Sequence, residues 1–354
     1  MSPNSSPAYL GRLGHHPLLY RWALLGLLIT AIVAGSAAFL SLQPPRPLPT
    51  EPPPRLVLRG HQEAVFGLAF SPDGKKLASA GGSWDRLGEV KVWDLTTGRE
   101  RLHLGGHTAT VQGVAFTPDG KTLATASLRG GGVRRWDSAT GRERASGAKS
   151  AHCFEVVSFA VDGSMAVTQG QGKLKIWDPV TGREAANRLP PKTFPGRYIT
   201  VSATSKLLAT HRGRSSTIRL WDLTGESGPV DLRRPARSYG CCLAFSADGR
   251  RLAFATGHGA VELWDVGTGR LVATWQGHSD QINALAFAPD GRTLASASHD
   301  RTVKLWDLAS GEERLTLRGH TGAVTALAFS GDGRALASGS YDKKVMIWDM
   351  TTRQ

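Results

Sequence analysis

The sequence lacks most of the motifs that identify small disulfide-bonded domains and common enzyme classes. Its 354 residues contain only three cysteines, Cys153, Cys241 and Cys242, so no disulfide framework is predicted. No phosphate-binding loop, protein-kinase signature, HExxH motif or metal-binding pair of cysteines is present. No nucleophile and base stand out as a pair. We therefore expect no cofactor and no metal, and a function other than catalysis.

Acidic residues are also scarce. The 29 Asp and Glu residues face 43 Lys and Arg residues, which gives a formal charge of +14. Many of the arginines lie in the middle of the chain: Arg129, Arg134, Arg142, Arg144, Arg212, Arg214, Arg233, Arg234 and Arg237. Such a surface suits anionic lipid, acidic proteins or nucleic acid. We favour the interpretation that these arginines form a solvent-exposed basic surface that reflects composition, and we do not expect nucleic acid as a partner.

Long hydrophobic runs are absent except at residues 23–42. That segment, ALLGLLITAIVAGSAAFLSL, carries no charge over its whole length. A helix of this size is long enough to cross about 30 Å of hydrocarbon. Tyr20 and Trp22 stand at its start, where amphipathic rings favour the headgroup region. We predict an N-terminal tail over 1–22 followed by one transmembrane helix over 23–42.

A cleaved signal peptide is the alternative interpretation of this segment. The small residues around Ala37, in AGSAAF, have the spacing of a cleavage site. Cleavage there would release a secreted, soluble protein. Residues 43–54, QPPRPLPTEPPP, are rich in proline and predict a stiff, extended linker in either case.

The charges that flank residues 23–42 are nearly balanced. Arg12 and Arg21 precede the segment, and Arg46 and Arg55 follow it. Positive charge is enriched on the cytoplasmic side of membrane helices. We predict that the N-terminus is inside and that the rest of the chain is extracytoplasmic.

From residue 55 onward one unit is repeated. A Trp-Asp pair recurs at intervals of 41 to 44 residues, at 93–94, 136–137, 177–178, 221–222, 264–265, 306–307 and 348–349. A Gly-His pair leads four of the units, at 60–61, 106–107, 277–278 and 319–320. Short apolar runs such as INALAF and TLASAS lie between turn residues, and they predict strands, four in each unit.

These repeats resemble the WD40 repeat family over residues 55–354. The resemblance implies an all-β, seven-bladed β-propeller with four strands in each blade. It also implies a role for the isolated segment Arg55–Arg59, which precedes the first complete repeat. In such propellers the outer strand of the last blade comes from the other end of the chain, so we expect Arg55–Arg59 to pair with 344–349 and close the ring.

The resemblance further implies a buried hydrogen-bond set in each regular blade, formed by His, Ser or Thr, Asp and Trp. The predicted sets are His61, Ser79, Asp85 and Trp93 in blade 1, His278, Ser296, Asp300 and Trp306 in blade 6, and His320, Ser338, Asp342 and Trp348 in blade 7. Blade 2 has Gly130 in place of the Asp, and no Gly-His pair leads blade 4 or blade 5. Since these sets recur in register, they indicate a scaffold rather than a catalytic triad.

The family resemblance implies a non-enzymatic scaffold that binds a protein or peptide on the face with the Gly-His loops. The candidate positions are Phe66, Trp84, Thr110, Gln112, Glu155, Arg237, Tyr239, Gln281, Asn283, His299, Thr325 and Tyr341. Among them, Trp84, His299 and Tyr341 are expected to form one aromatic patch, of the kind that binding hot spots favour. No oligomeric state is indicated.

An extracytoplasmic quinone-type propeller enzyme is the alternative function. The segment 265–275, DVGTGRLVATW, faintly resembles the repeats of such enzymes. However, the register of Trp275 matches Leu58, Leu104 and Leu317 of the outer strands. We therefore predict that Trp275 is an apolar strand residue.

Overall fold

A computed structural model describes most of the repeat region. The described residues are 52–83, 87–127, 133–144, 156–170, 173–185, 196, 198–213, 215–234 and 240–351. Within these ranges the regular elements are strands, numbered β1 to β27, without a helix.

The first strand, β1 (Leu56–Arg59), stands apart from the first blade. Blade 1 comprises β2 (Val65–Phe70), β3 (Lys76–Gly81), β4 (Gly88–Asp94) and β5 (Arg99–His107). Blade 2 comprises β6 (Val111–Phe116), β7 (Thr122–Ser127), β8 (Val133–Asp137) and β9 (Glu143–Arg144). Blade 3 comprises β10 (Val156–Phe159), β11 (Ala166–Gly170) and β12 (Lys173–Trp177) in the described part.

The remaining strands form four further blades. Blade 4 comprises β13 (Tyr198–Ser202), β14 (Leu207–His211), β15 (Thr217–Asp222) and β16 (Val230–Arg233). Blade 5 comprises β17 (Gly240–Phe245), β18 (Arg251–Thr256), β19 (Ala260–Asp265) and β20 (Arg270–Gln276). Blade 6 comprises β21 (Ile282–Phe287), β22 (Thr293–Ser298), β23 (Val303–Asp307) and β24 (Glu313–Leu317). Blade 7 contains β25 (Val324–Phe329), β26 (Ala335–Ser340) and β27 (Lys344–Asp349).

The sheet topology confirms the predicted seven-bladed propeller. Seven antiparallel sheets are present, and in six of them the strands follow one another in chain order. The seventh has the order β1-β27-β26-β25, so its outer strand comes from the beginning of the repeat region. Leu56 pairs with Ile347 and Leu58 pairs with Val345, which is the closure that the sequence predicted.

The core lies between the blades. One apolar cluster joins Leu305 and Leu317 of blade 6 to Val324 and Leu336 of blade 7. Every residue of β22 in blade 6 is buried, since this second strand is covered on both of its faces. Such strands need small side chains, which explains the repeated Leu-Ala-Ser-Ala pattern.

Trp275 occupies the register that the sequence predicted. It pairs with Val261, just as Leu317 pairs with Val303 in the next blade. Its indole ring is buried and stacks on Trp306, with ring centroids 5.8 Å apart. Trp275 is therefore an apolar strand residue, and the local resemblance to quinone-type repeats does not extend to its position.

The described residues do not include the N-terminal part of the sequence. The predicted tail 1–22, the predicted transmembrane segment 23–42 and most of the linker 43–54 lie outside the described residues. In the part of the chain that the structure does describe, no helix has the length and apolar character needed to span a membrane.

Candidate functional site

Buried hydrogen bonds fix the loops on the face that carries the Gly-His pairs. In blade 6, His278 Nδ1 lies 2.7 Å from Asp300 Oδ2, and His278 Nε2 lies 2.8 Å from Ser296 Oγ. Trp306 Nε1 donates to the same Ser296 hydroxyl at 2.8 Å. An ionised carboxylate can only accept, so Nδ1 carries the proton and Nε2 accepts from the hydroxyl. Burial lowers the pKa of His278, despite the opposing effect of Asp300, which keeps the ring neutral.

Blade 7 repeats this arrangement. His320 lies 3.0 Å from Asp342 and 2.9 Å from Ser338, and Trp348 donates to Ser338 at 2.8 Å. Burial raises the pKa of Asp342, but hydrogen bonds from His320 and from the Thr321 backbone N–H outweigh it and hold the pKa at about 2. The carboxylate therefore stays ionised and fixes the start of the Gly-His loop against the turn after β26.

In blade 1 the acid differs from the prediction. The carboxylate on His61 Nδ1 belongs to Glu89, at 2.9 Å, whereas Asp85 lies outside the described residues. Ser79 accepts from Trp93 Nε1 at 2.7 Å and lies 2.6 Å from His61 Nε2. Glu89 is the second residue of β4, so blade 1 takes its acid from the third strand instead of the preceding turn.

Blade 5 replaces the set with a buried ion pair. Arg234 Nε and Nη2 donate to the two carboxylate oxygens of Glu262, both at 2.8 Å. Phe254 stands at the register of the missing Ser, and the Arg234 guanidinium lies 4.1 Å from its ring centroid. Trp264 Nε1 donates to Glu262 at 3.3 Å. The sequence analysis placed Arg234 on a basic surface. That was wrong, because its side chain is buried.

The described His, Ser and acid sets thus recur from blade to blade as loop anchors. Among the residues that the structure describes, no group of three or more His, Cys, Asp or Glu is arranged to hold a metal ion.

A β-bulge interrupts the innermost strand of five blades. At each bulge the pairing with the second strand skips one residue of the innermost strand. The skipped residues are Phe66, Gln112, Cys241, Asn283 and Thr325. A bulge changes the direction of the side chain of its extra residue. The predicted positions among these residues therefore do not follow the regular alternation of side chains along a strand. Cys241 shares this position, which sequence reasoning missed.

Two of the bulge side chains connect neighbouring blades. Asn283 Nδ2 donates to the Val324 carbonyl at 2.8 Å, from blade 6 to blade 7. Thr325 Oγ1 donates to the Val65 carbonyl, from blade 7 to blade 1. At the next junction, between blades 1 and 2, the bulge residue is Phe66, which has no hydrogen-bonding side chain. The bulge side chain therefore cannot donate a hydrogen bond to a carbonyl of the next blade at that junction.

A cavity of about 250 Å³ opens at this junction. Four predicted positions line it, Phe66, Thr110, Gln112 and Tyr341, together with Glu63, Ala64, Gly82, Ser83, Ala109 and Lys343. The rings of Phe66 and Tyr341 meet edge to face, with centroids 5.6 Å apart and an interplanar angle of 89°. Tyr341 is 50% exposed, so this aromatic pair is partly open to solvent.

The predicted aromatic patch is partly described. His299 lies 6.3 Å from Tyr341, measured between ring centroids, as expected for neighbouring blades 6 and 7. Phe66 joins them, although it was not predicted as part of the patch. Four predicted positions lie outside the described residues: Trp84, Glu155, Arg237 and Tyr239. Gln281 lies beside Asn283, with Nε2 and Oδ1 3.5 Å apart, and Thr325 makes the inter-blade bond described above.

Charged groups border the cavity on one side. Lys343 Nζ lies 3.9 Å from Glu63 Oε2, and both residues are lining residues that sequence reasoning missed. Lys343 has φ of 67°, and Arg301, at the same place in blade 6, has φ of 70°. This conformation costs of order 1–3 kcal/mol for a residue other than glycine. The position directly after the motif Asp was the signal that could have identified Lys343.

Comparison with protein families agrees with this architecture. The family described as "WD domain, G-beta repeat" matches residues 53–94, 98–137, 269–307 and 311–349. The model described as "Anaphase-promoting complex subunit 4 WD40 domain" matches residues 201–285. Together these matches cover well over half of the chain.

Similar proteins share shorter stretches. "WD repeat and SOCS box-containing protein 1" is 31% identical over 102 residues in Xenopus tropicalis and 32% identical over 102 residues in Danio rerio. Each match covers 29% of this chain and 24% of the relative. "Transcription factor unc-37" of Caenorhabditis elegans is 30% identical over 134 residues, which cover 35% of this chain and 22% of the relative. The chain thus spans about a quarter of the length of these relatives. With the seven described sheets and the family matches, the chain belongs to the WD40 repeat family.

Proposed function

We propose that the propeller is a non-enzymatic scaffold that binds a protein or peptide partner at the cavity between blades 1, 2 and 7. The observation that carries this proposal is the half-exposed aromatic pair of Phe66 and Tyr341 at the mouth of that cavity. Aromatic side chains supply much contact area at a low cost in conformational entropy, and they dominate binding hot spots.

The surroundings of the pair suit a peptide. The exposed amide of Gln112 can both donate and accept hydrogen bonds, as a peptide backbone requires. Glu63 and Lys343 add one charge of each sign at the rim. An apolar side chain of the partner fits the cavity, while the rim residues bond to the partner's main chain.

The names of the matched relatives support a scaffold. They describe a WD repeat protein with a SOCS box and a transcription factor. Neither name is that of an enzyme, and the hydrogen-bond sets described above hold loops in place. We therefore assign no catalytic role to the hydrogen-bond sets.

We expect that Phe66→Ala with Tyr341→Ala removes peptide binding. The change deletes both rings that border the cavity and leaves the buried hydrogen-bond sets untouched. Peptides selected from a random library against the wild-type propeller should lose at least tenfold in affinity for the double variant, since each hot-spot residue contributes about 2 kcal/mol or more. Affinity is measured by calorimetry on the purified chain.

Val161→Ala is the matched control for surface hydrophobicity. Val161 is 77% exposed in the turn between β10 and β11, at the end of its blade opposite the Gly-His loops. This variant should bind the selected peptides as the wild type does. If the double aromatic variant binds them equally well too, the cavity is not the binding site.

We further propose that residues 23–42 hold the propeller at a membrane, with the propeller on the extracytoplasmic side. The uncharged run of twenty residues and the stiff proline-rich linker support this arrangement. Release of an N-terminal fragment by cleavage near Ala37 would instead produce a secreted binder.

Protease protection on intact cells or spheroplasts tests this placement. The chain, tagged at its C-terminus, should resist extraction by carbonate and be digested from outside. Extraction into the soluble fraction, with a mass that shows loss of the N-terminal residues, would support the secreted form. A membrane-bound but protected propeller would contradict the orientation.

A further inference from the structure

The hydrogen-bond set of blade 2 lacks its acid. His107 Nε2 lies 2.7 Å from Thr125 Oγ1, and Trp136 Nε1 donates to that hydroxyl at 2.8 Å, as in the regular blades. His107 Nδ1, however, is buried and has no hydrogen-bond partner among the described residues. The sequence between Thr125 and Trp136, ASLRGGGVRR, contains neither Asp nor Glu. No residue of that segment can supply the carboxylate.

The equivalent position is a carboxylate site in three other blades. There one carboxylate oxygen accepts from the His Nδ1–H and from the backbone N–H of the following residue. These backbone bonds measure 2.7 Å from Gln62, 3.2 Å from Ser279 and 2.9 Å from Thr321. Blade 2 keeps the histidine of this arrangement.

A further unpaired donor lies beside His107. Arg134 Nε bonds to Glu143 at 3.0 Å, but its buried Nη1 has no partner among the described residues. A Cβ on Gly106 would lie only 2.6 Å from this Nη1, so the guanidinium lies against the backbone directly before His107. Burial and, secondly, the charge of Arg134 lower the pKa of His107 to about 3. The ring is therefore neutral and able to donate one N–H.

We propose that blade 2 accepts a carboxylate from the partner, bound between Arg134 Nη1 and His107 Nδ1. The carboxylate takes the place that Glu89 fills in blade 1. Although Nη1 itself is buried, 23% of the Arg134 side chain is exposed, which leaves this residue accessible to an acid from solvent. The local charge favours an anion, because the segment between Thr125 and Trp136 carries three arginines and no acid.

The position of the site indicates that the carboxylate belongs to a peptide. Ala109, Thr110 and Gln112, which line the cavity, follow His107 within five residues. An Asp or Glu side chain can therefore occupy blade 2 while an adjacent apolar residue of the same peptide enters the cavity. In this form the inference rests on the proposed function, and it names the partner's chemistry.

Two capped dipeptides test the site, N-acetyl-Phe-Asp-amide and N-acetyl-Phe-Asn-amide. The full chain is labelled with ¹⁵N-histidine, and the His107 signals are assigned by their loss in His107→Gln. Sodium acetate, compared with sodium chloride at equal ionic strength, serves as a probe of the carboxylate alone. We expect acetate and the Asp dipeptide to shift the His107 ring nitrogens saturably.

The Asp dipeptide should bind roughly ten- to a hundredfold more tightly than the Asn dipeptide, because a charged hydrogen-bond acceptor is gained. Arg134→Gln should abolish this preference. Arg142→Gln, which removes an exposed arginine of the same blade, should preserve it. Gly130→Asp places an acid six residues before the Trp, as Asp300 is in blade 6, and should block the acetate response.

Equal binding of the two dipeptides, or His107 signals that neither acetate nor the Asp dipeptide moves, would overturn the carboxylate site. The same measurements distinguish a failure of the carboxylate site from a failure of the proposed function. Equal binding that Tyr341→Ala abolishes would leave the scaffold standing without the carboxylate site. An acetate response without any dependence of dipeptide binding on Tyr341 would leave the carboxylate site without the cavity.

Discussion

Deletion of Arg55–Arg59 is expected to abolish cooperative unfolding of the propeller or to lower its melting temperature by many degrees. The deletion removes β1, whose Leu56 and Leu58 lie among the apolar residues between blades 7 and 1. It also leaves β27 as the outer edge of blade 7 with Val345 uncovered, and an apolar edge strand without a partner can pair with another chain. Each buried leucine contributes roughly 1.5–3 kcal/mol.

Point variants distinguish the loss of ring closure by β1 from a general effect of shortening the chain. Leu58 is 2% exposed, so Leu58→Ala should lower the free energy of unfolding by about 2–5 kcal/mol. Arg59 is exposed in the same strand, and Arg59→Ala should change it by less than about 0.5 kcal/mol. Denaturation followed by tryptophan fluorescence measures all three chains. An unchanged melting temperature in the deletion would show that the ring does not depend on β1.

Arg234→Met is expected to lower the free energy of unfolding by about 3–5 kcal/mol, because it leaves the carboxylate of Glu262 buried without its cation. The double variant Arg234→Met with Glu262→Leu should recover most of this loss, since a buried ion pair and an apolar pair of similar volume are often close in stability. Chemical denaturation of the purified chains provides the measurement.

The ion pair between Arg219 and Asp231 is the matched control. It joins an arginine to a carboxylate in blade 4, but more than a third of each side chain is exposed. Arg219→Met should therefore cost less than about 1 kcal/mol. Equal losses for Arg234→Met and Arg219→Met would show that burial does not determine the strength of the blade 5 pair.

The regular blades could be predicted from sequence because their residues repeat in register. The Gly-His and Trp-Asp pairs located the sets of blades 6 and 7, and the unmatched segment at 55–59 located the closing strand. Phe66, Gln112 and Tyr341 were found by their positions relative to these pairs, and they line one cavity.

The irregular blades could not be predicted because other residue types fill the same space. In blade 1 the acid is Glu89, which lies in the third strand, whereas Asp300 of blade 6 lies in the turn before the third strand. In blade 5, Arg234 and Glu262 share no motif with the usual histidine and aspartate. A cavity likewise has no sequence pattern, since residues of three different blades line it.

The pairing of β1 with β27 also governs when the protein can become complete during its synthesis. The two strands are separated by about 290 residues, which the ribosome adds in roughly 15–60 s at about 5–20 residues per second. Throughout that interval the segment that becomes β1 has no partner strand, and Leu56, Val57 and Leu58 are not yet covered by β27. The segment that forms β1 is therefore made before the other described strands, but it cannot pair until β27 has been synthesised.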